Sequence, residues 1–227
     1  MLTTTASGRT YDYSHSIGRG AQSGMGFNYP CGMTFGPNGI TYVINRGAET
    51  ISNVPWNKTG VGARVSMITL GDGHGEETFT GEFGKYGNGE GEFIWPTDIA
   101  ISSDDTLYVT DEHMDKILSF DLDGKFISEF FLSDEPGTFG PAGITIDNED
   151  NLYITGSFAS QVRKYSTAGD LISSWGEQGT EEGQLNRPWG ITIDSDNTIY
   201  VADHKNHRVQ LFDTDGNFKS SIGSYGN

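Results

Sequence analysis

The sequence lacks several features that would place it in a familiar class of protein. It holds one cysteine, Cys31, among 227 residues, which excludes an intramolecular disulfide framework and a cluster of metal-binding thiolates. No apolar run approaches the ~18 residues that a membrane-spanning helix requires. The N-terminus also lacks the basic and apolar regions of a secretory signal. These absences predict a soluble, cytoplasmic protein.

Positive charge is scarce as well. The chain carries 14 lysines and arginines against 31 aspartates and glutamates, for a formal net charge of −17 and a pI near 4.4. A chain of this charge repels the phosphate backbone of nucleic acids and the surface of anionic membranes. The composition therefore predicts that neither nucleic acid nor a membrane is a partner.

Residues that favour helices are few. The sequence contains ten leucines and nine alanines but 32 glycines, and glycine is costly inside a helix. Aromatic residues make up 12% of the chain, and these favour strands. The composition predicts an all-β fold.

The chain contains an internal repeat. Three similar segments open on Pro96, Pro141 and Pro188, which lie 45 and 47 residues apart. A more divergent fourth copy opens on Pro30, 66 residues before the next one. The extra length of that copy fits an insertion within residues 46–63.

Each copy contains four short alternating segments separated by turn residues. In the last copy the segments lie at roughly 190–194, 198–202, 208–213 and 218–222. The sequences between them, such as DSDN and DTDG, supply the residues that accept positive φ in hairpin turns. Four strands in each repeat of this length are typical of propeller blades. We predict an all-β propeller of four-stranded antiparallel blades in one domain, residues 1–227, with blades near 30–83, 96–131, 141–175 and 188–222.

The last copy resembles an NHL repeat. Its matching motifs are Pro188-Trp189-Gly190-Ile191, Tyr200-Val201-Ala202-Asp203 and Asn206-His207-Arg208-Val209. The other copies depart from the pattern, with Asp98 in place of the glycine that follows the opening proline, and with Gly156 and Asn45 in place of the aspartate. The resemblance covers nearly all of residues 9–227 and implies a propeller that usually has six blades. It is a weak guide to function, because one such fold serves many functions.

The two ends of the chain do not match a closed ring. Residues 9–17 have the position of an outermost fourth strand, but no blade precedes them. Residues 223–227 match the start of a further connector at residues 84–88. We expect a chain truncated to about four blades of a six-bladed propeller, with self-association through the uncovered faces. The alternative is a closed ring of four blades.

Polar residues follow the second strand of each copy, on the face where propeller strand ends meet near the mouth of the channel. Ligands usually bind at this face in such folds. We predict no catalytic residue, but a ligand-binding face with Gly156 at its edge. Its predicted members are Asn45, Arg46, Asp111, Glu112, His113, Ser157, Asp203 and His204.

Histidine and carboxylate side chains at one mouth are ligands that a divalent metal accepts. An NHL-like propeller lyase that acts on precursors of amidated peptides binds zinc through histidines, and the resemblance raises that alternative. His113 and His204 belong to non-adjacent blades, however, and no third ligand is evident. The Asp-rich turns lack the spacing of a calcium loop and are better explained as hairpins. We predict no metal or cofactor, with zinc or calcium as the alternative.

Three function classes follow. The first is a non-enzymatic scaffold that binds a protein or small molecule at the channel mouth. The second is a metal-dependent lyase or lactonase-like hydrolase that uses the channel. The third is an RNA-binding NHL module, which the net charge of −17 disfavours. The sequence therefore favours a binding protein over an enzyme.

Overall fold

The computed structural model describes residues 3–6, 9–12, 20, 24, 26–37, 39–47, 62–72 and 75–224. A hairpin of β1 (Thr3–Ala6) and β2 (Arg9–Asp12) comes first. Four antiparallel four-stranded sheets follow, and consecutive strands lie next to each other in each sheet. The predicted all-β propeller with four-stranded blades is confirmed.

The strand bounds repeat from blade to blade. Blade one is β3 (Pro30–Phe35), β4 (Ile40–Asn45), β5 (Arg64–Thr69) and β6 (Thr78–Phe83). A short parallel pair, β7 (Lys85–Tyr86) and β8 (Glu92–Phe93), leads to blade two, which is β9 (Pro96–Ile101), β10 (Leu107–Asp111), β11 (Lys116–Phe120) and β12 (Phe126–Phe131). Blade three is β13 (Pro141–Ile146), β14 (Leu152–Gly156), β15 (Gln161–Tyr165) and β16 (Leu171–Trp175). Blade four is β17 (Pro188–Ile193), β18 (Ile199–Asp203), β19 (Arg208–Phe212) and β20 (Phe218–Ile222).

The Asp-rich segments are hairpin turns held by their own carboxylates. Asp121 Oδ1 accepts the amide hydrogens of Asp123 and Lys125 at 3.0 and 2.8 Å. The Asp194 and Asp213 carboxylates accept two turn amides each in the same way. Such turns need a residue with positive φ, and Gly124 has φ 81°. The hairpin explanation of these sequences is confirmed.

His207 lies in the turn between the second and third strands of blade four. Its φ is 55°, which is a left-handed conformation, and its side chain is exposed. Asp115 and Ser160 hold the matching turns of blades two and three at φ 48° and 54°. The histidine of the Asn-His-Arg motif is therefore a turn residue.

The hydrophobic core is divided into three clusters between neighbouring blades. Phe93 and Phe120 are buried between blades one and two. Phe139 and Ile154 belong to the cluster between blades two and three, and Phe212 to the one between blades three and four. Burial of these aromatic and aliphatic side chains between the sheets is the main force that holds the blades together.

Blade four buries one face and leaves the other partly open. Every residue of β10 and β14 is buried, because these strands have a blade on each side. In β18, burial alternates, and Val201 is buried while Tyr200 is half-buried. Val209 and Leu211 share the open face with Tyr200 and are half-buried as well. In the part of the chain that is described, no blade packs against this face.

Two segments that the sequence singled out lie partly outside the described residues. Of residues 9–17, β2 covers Arg9–Asp12 and pairs with Thr3–Ala6, so this strand has a partner that the sequence did not suggest. Residues 13–17 and residues 48–61 of the expected insertion lie outside. No helix among the described residues is long and apolar enough to cross a membrane.

Candidate functional site

The second strand of every blade ends on one face of the molecule, here called the top face. The residues at these ends are Asn45, Asp111, Gly156 and Asp203, each opposite the opening proline of its own blade. The antiparallel register therefore brings the start of the first strand next to the end of the second. The residues that flank the opening prolines lie on the top face for the same reason.

Three of the predicted site residues are structural. Asn45, Asp111 and Asp203 are fully buried, each at 0% exposure. The Asp111 carboxylate accepts amide hydrogens from Ile94 at 2.6 Å and from Trp95 at 3.2 Å, so it fixes the connector that precedes its own blade. Burial raises the pKa of Asp111, and the backbone amides lower it in part. This carboxylate has no surface to offer a ligand.

Asp203 anchors a larger network of motif residues. Its Oδ1 accepts the amide hydrogen of Asn186 at 2.7 Å, and its Oδ2 accepts from the Arg208 guanidinium at 2.8 Å. Asn206 and Gln210 also donate to Oδ2. Arg208 continues to the carbonyl oxygens of the glycine-rich connector. The Asp and Asn-His-Arg motifs therefore hold the connector of blade four to its blade.

Blade three lacks this carboxylate, and a neighbour replaces it. Phe139 is fully buried in the connector, and a Cβ on Gly156 would lie 2.3 Å from its ring, so only glycine fits there. Asp115, from blade two, accepts the amide hydrogens of Phe139 at 2.9 Å and Gly140 at 2.7 Å. It also accepts from Thr138. The sequence analysis missed this role of Asp115.

Two of the remaining predicted residues, Glu112 and His113, line a cleft on the top face. It encloses about 510 Å³ between blades two, three and four, and we call it the aromatic cleft. It is lined by Trp95, Glu112, His113, Gly137, Phe158, Arg187 and Trp189. Phe158 is 47% exposed and Trp189 is 44% exposed, so two of its walls are open aromatic rings. Glu112 and His113 were predicted as site residues, whereas the aromatic residues and Arg187 were not.

A signal for the missed residues was present in the sequence. Trp95 and Arg187 directly precede opening prolines, and Trp189 directly follows one. The hairpin register of β9 and β10 places such positions beside the end of the second strand. Counting residues across that hairpin would have placed them on the top face with Glu112.

Charge in the aromatic cleft centres on Glu112. Ser157 is buried and donates a hydrogen bond from Oγ to Glu112 Oε1 at 3.1 Å across the boundary between blades two and three. Burial raises the pKa of Glu112, while the positive charges of Arg46 and Arg187 and the Ser157 hydrogen bond lower it. The Ser157 hydroxyl thus bonds to the carboxylate, and both arginines act on its charge.

Both arginines stack on aromatic rings. The Arg46 guanidinium carbon lies 4.7 Å from the centre of the Trp95 ring, and that of Arg187 lies 5.5 Å from the centre of the Phe158 ring. Cations over aromatic faces are attracted by the ring quadrupole. The aromatic rings therefore help to hold both guanidinium groups in place.

The two predicted histidines have different surroundings. His204 is exposed, and its ring meets the edge of Trp189 at a centroid distance of 6.0 Å. His113 lies in the cleft beside Glu112. Among the described residues, no three His, Cys, Asp or Glu side chains are grouped so that they could hold a metal ion.

The Asp98 carboxylate lies between the first strands of blades two and three. It replaces the glycine that follows the opening proline, and its Oδ2 accepts the amide hydrogen of Ile144 in blade three at 3.1 Å. Its Oδ1 accepts the amide hydrogen of Ile99 at 2.9 Å. Burial raises the pKa of Asp98 to about 6, and the two hydrogen bonds offset only part of this.

The raised pKa of Asp98 predicts a pH-dependent effect of Asp98→Asn. Because the pKa is raised in the folded state, stability falls as pH rises from the unfolded value of 3.8 to about 6. Asp98→Asn removes this loss but keeps one of the two acceptors, so its effect on the free energy of unfolding should be more favourable at pH 7.5 than at pH 5 by roughly 1 kcal/mol. Urea unfolding at both pH values measures the difference. The exposed Asp123→Asn control should change little, and an equal effect at both pH values would contradict the argument.

Comparison with known proteins agrees with this architecture. A family model for the NHL repeat matches residues 185–212, and a model described as a 6-bladed beta-propeller matches residues 75–171. No curated protein matches the chain. The described blades and these matches define a β-propeller with a cleft on its top face. The chain is a β-propeller whose last blade matches the NHL repeat.

Solved structures share the fold at low sequence identity. A catalytically inactive virginiamycin B lyase from Staphylococcus aureus with quinupristin is 20% identical with a TM-score of 0.59, and the match covers 86% of this chain and 55% of that one. A streptogramin B lyase is 17% identical with a TM-score of 0.61, covering 87% and 55%. Kuenenia stuttgartiensis hydrazine synthase is 17% identical with a TM-score of 0.58, covering 92% and 53%. The chain spans about half the length of these proteins, and the likeness is one of fold.

Proposed function

We propose that this propeller is a non-enzymatic binding protein whose ligand, a small molecule or a side chain of a partner protein, occupies the aromatic cleft. The observation that carries the proposal is the pair of open rings, Phe158 and Trp189, beside the polar groups of Glu112 and Arg187. Ligand sites are typically concave, mostly apolar and equipped with a few placed polar groups.

The roles of the buried carboxylates also favour binding over catalysis. Asp111 and Asp203 are committed to connector amides and to Arg208, which leaves Glu112 as the carboxylate that lines the cleft. Acid–base hydrolysis commonly needs two carboxylates with separated roles. The proposal involves no cofactor, nucleic acid or membrane, and a cytoplasmic location stays a prediction.

The proposal predicts that small aromatic compounds bind in the cleft and are released without chemical change. We expect hits from a library of aromatic fragments by ligand-observed NMR with the whole chain. Trp189→Ala should weaken these hits about tenfold, because one wall of the site is lost.

A matched control is Phe131→Ala, which removes an aromatic residue of similar exposure (54%) from the outer strand of blade two. It should leave the hits unaffected. Hits that persist in Trp189→Ala would contradict the proposal. Conversion of a bound fragment, seen by mass spectrometry after overnight incubation, would favour an enzyme instead.

A further inference from the structure

The aromatic cleft differs in charge from the rest of the chain. Five of the cations form ion pairs with carboxylates in the described residues, namely Arg64, Lys85, Lys116, Lys164 and Arg208. Arg187 is exposed and has no carboxylate within 4 Å in that part of the chain. In the lining of the cleft, Arg187 is the arginine and Glu112 is the carboxylate. The cleft lining thus balances one positive charge against one negative charge in a chain of net charge −17.

The way in which Arg187 is held leaves its donors available. Its guanidinium carbon lies over the Phe158 ring, 5.5 Å from the ring centre. Stacking uses the face of the guanidinium, whereas hydrogen bonds are donated in its plane. A planar anion such as a carboxylate can accept two parallel N–H bonds from that edge. Arg187 is therefore preorganised toward an anion at the cleft.

Glu112 does not cancel this preference. One of its oxygens accepts from Ser157, and the two arginines both act on its charge. An anion placed at the Arg187 edge, on the blade-four side of the cleft, meets a carboxylate that is already compensated from the blade-one side by Arg46. Trp189 lies two residues after Arg187, at the start of β17. Its ring and that of Phe158 form the walls of the cleft, against which an aromatic ring can pack.

We propose that the aromatic cleft selects ligands that join an aromatic ring to a carboxylate, with the ring against Trp189 and Phe158 and the carboxylate on Arg187. This inference rests on the proposed function, because it assigns a ligand class to the same cleft.

The test uses three probes that differ in charge and share one ring: 2-naphthylacetate, 2-naphthylacetamide and 2-(2-naphthyl)ethylamine. Dissociation constants are measured by saturation-transfer NMR with the whole chain and three variants. We expect the carboxylate to bind about tenfold more tightly than the amide, and the amine to bind more weakly than either. Arg187→Gln should make the carboxylate and the amide equal. Lys125→Gln, which removes an exposed charge from a distant hairpin, should leave the preference intact.

The outcomes separate the two proposals. Equal affinity for all three probes, lost in Trp189→Ala, would overturn the charge preference and support the cleft as a binding site. A preference for the carboxylate that survives Arg187→Gln would overturn the assignment to Arg187. Affinity unchanged in Trp189→Ala would overturn both proposals, and no binding of any probe at millimolar concentration would overturn this inference.

Discussion

Asp115→Ala is expected to lower the free energy of unfolding by about 3 kcal/mol, although the residue departs from the NHL motif and stands where that motif has its histidine. The substitution leaves the amides of Phe139 and Gly140 without an acceptor in a buried connector. It also removes the acceptor for Thr138 and Ser133. Leaving buried donors unsatisfied costs more than the net value of the hydrogen bonds themselves.

Urea unfolding monitored by tryptophan fluorescence measures this loss. Asp134→Ala is the matched control, because it removes the same charge from an exposed position in the same connector, and it should change stability by less than about 0.5 kcal/mol. If Asp115→Ala cannot be purified, Asp115→Asn keeps one acceptor and should lose an intermediate amount. Equal stability of Asp115→Ala and the wild-type chain would show that the connector does not depend on this carboxylate.

Gly143→Ala should lower the free energy of unfolding by about 2 kcal/mol, whereas Gly190→Ala should be neutral. Both glycines hold the same position of the repeat, two residues after the opening proline. A Cβ on Gly143 would lie 2.6 Å from the Trp189 carbonyl oxygen and 3.1 Å from the Ile191 nitrogen in the next blade. Backbone atoms cannot move aside as a flexible side chain can, so blades three and four must move apart to make room for the added methyl group.

Gly190 is the matched control that the repeat itself provides. A Cβ at this position meets nothing within 4 Å. Thermal or urea unfolding of both variants gives the comparison. A loss at Gly190→Ala equal to that at Gly143→Ala would mean that the face beyond blade four is covered in solution, as self-association would do.

The fold was predictable from the sequence because each blade repeats its own pattern. The positions of Pro96, Pro141 and Pro188 set the period, and Asp-Gly and Asp-Asn turns marked the hairpins. The site was predictable only in part. Strand ends located Glu112 and His113. Burial could not be measured from the sequence, so Asp111 and Asp203 were counted as ligand-binding although they face the protein interior.

The missed residues depended on contacts between repeats. Asp115 acts on the connector of the next blade, and alignment of the copies compares equivalent positions rather than neighbours in space. In the sequence, Gly156 stands in place of the motif aspartate. In the structure, its lack of a side chain leaves room for the Phe139 ring. Asp115 and Gly156 therefore act together on the connector that contains Phe139, and the sequence of one repeat cannot show this.

The hydrogen bonds of Asp115 also decide how the molecule can open locally. The connector of blade four is held by Asp203, Arg208 and Gln210 of that same blade, so it can loosen together with its own sheet. The connector of blade three is held from blade two, so it cannot loosen unless the neighbouring sheet yields as well. Cooperative opening units in proteins follow such cross-connections. Blades two and three therefore form one cooperative unit. Blade four is joined to blade three by a shared core cluster and by the bond from Thr155 Oγ1 to the Trp189 carbonyl oxygen, while its connector is held within its own sheet, so it opens at a lower cost than that unit.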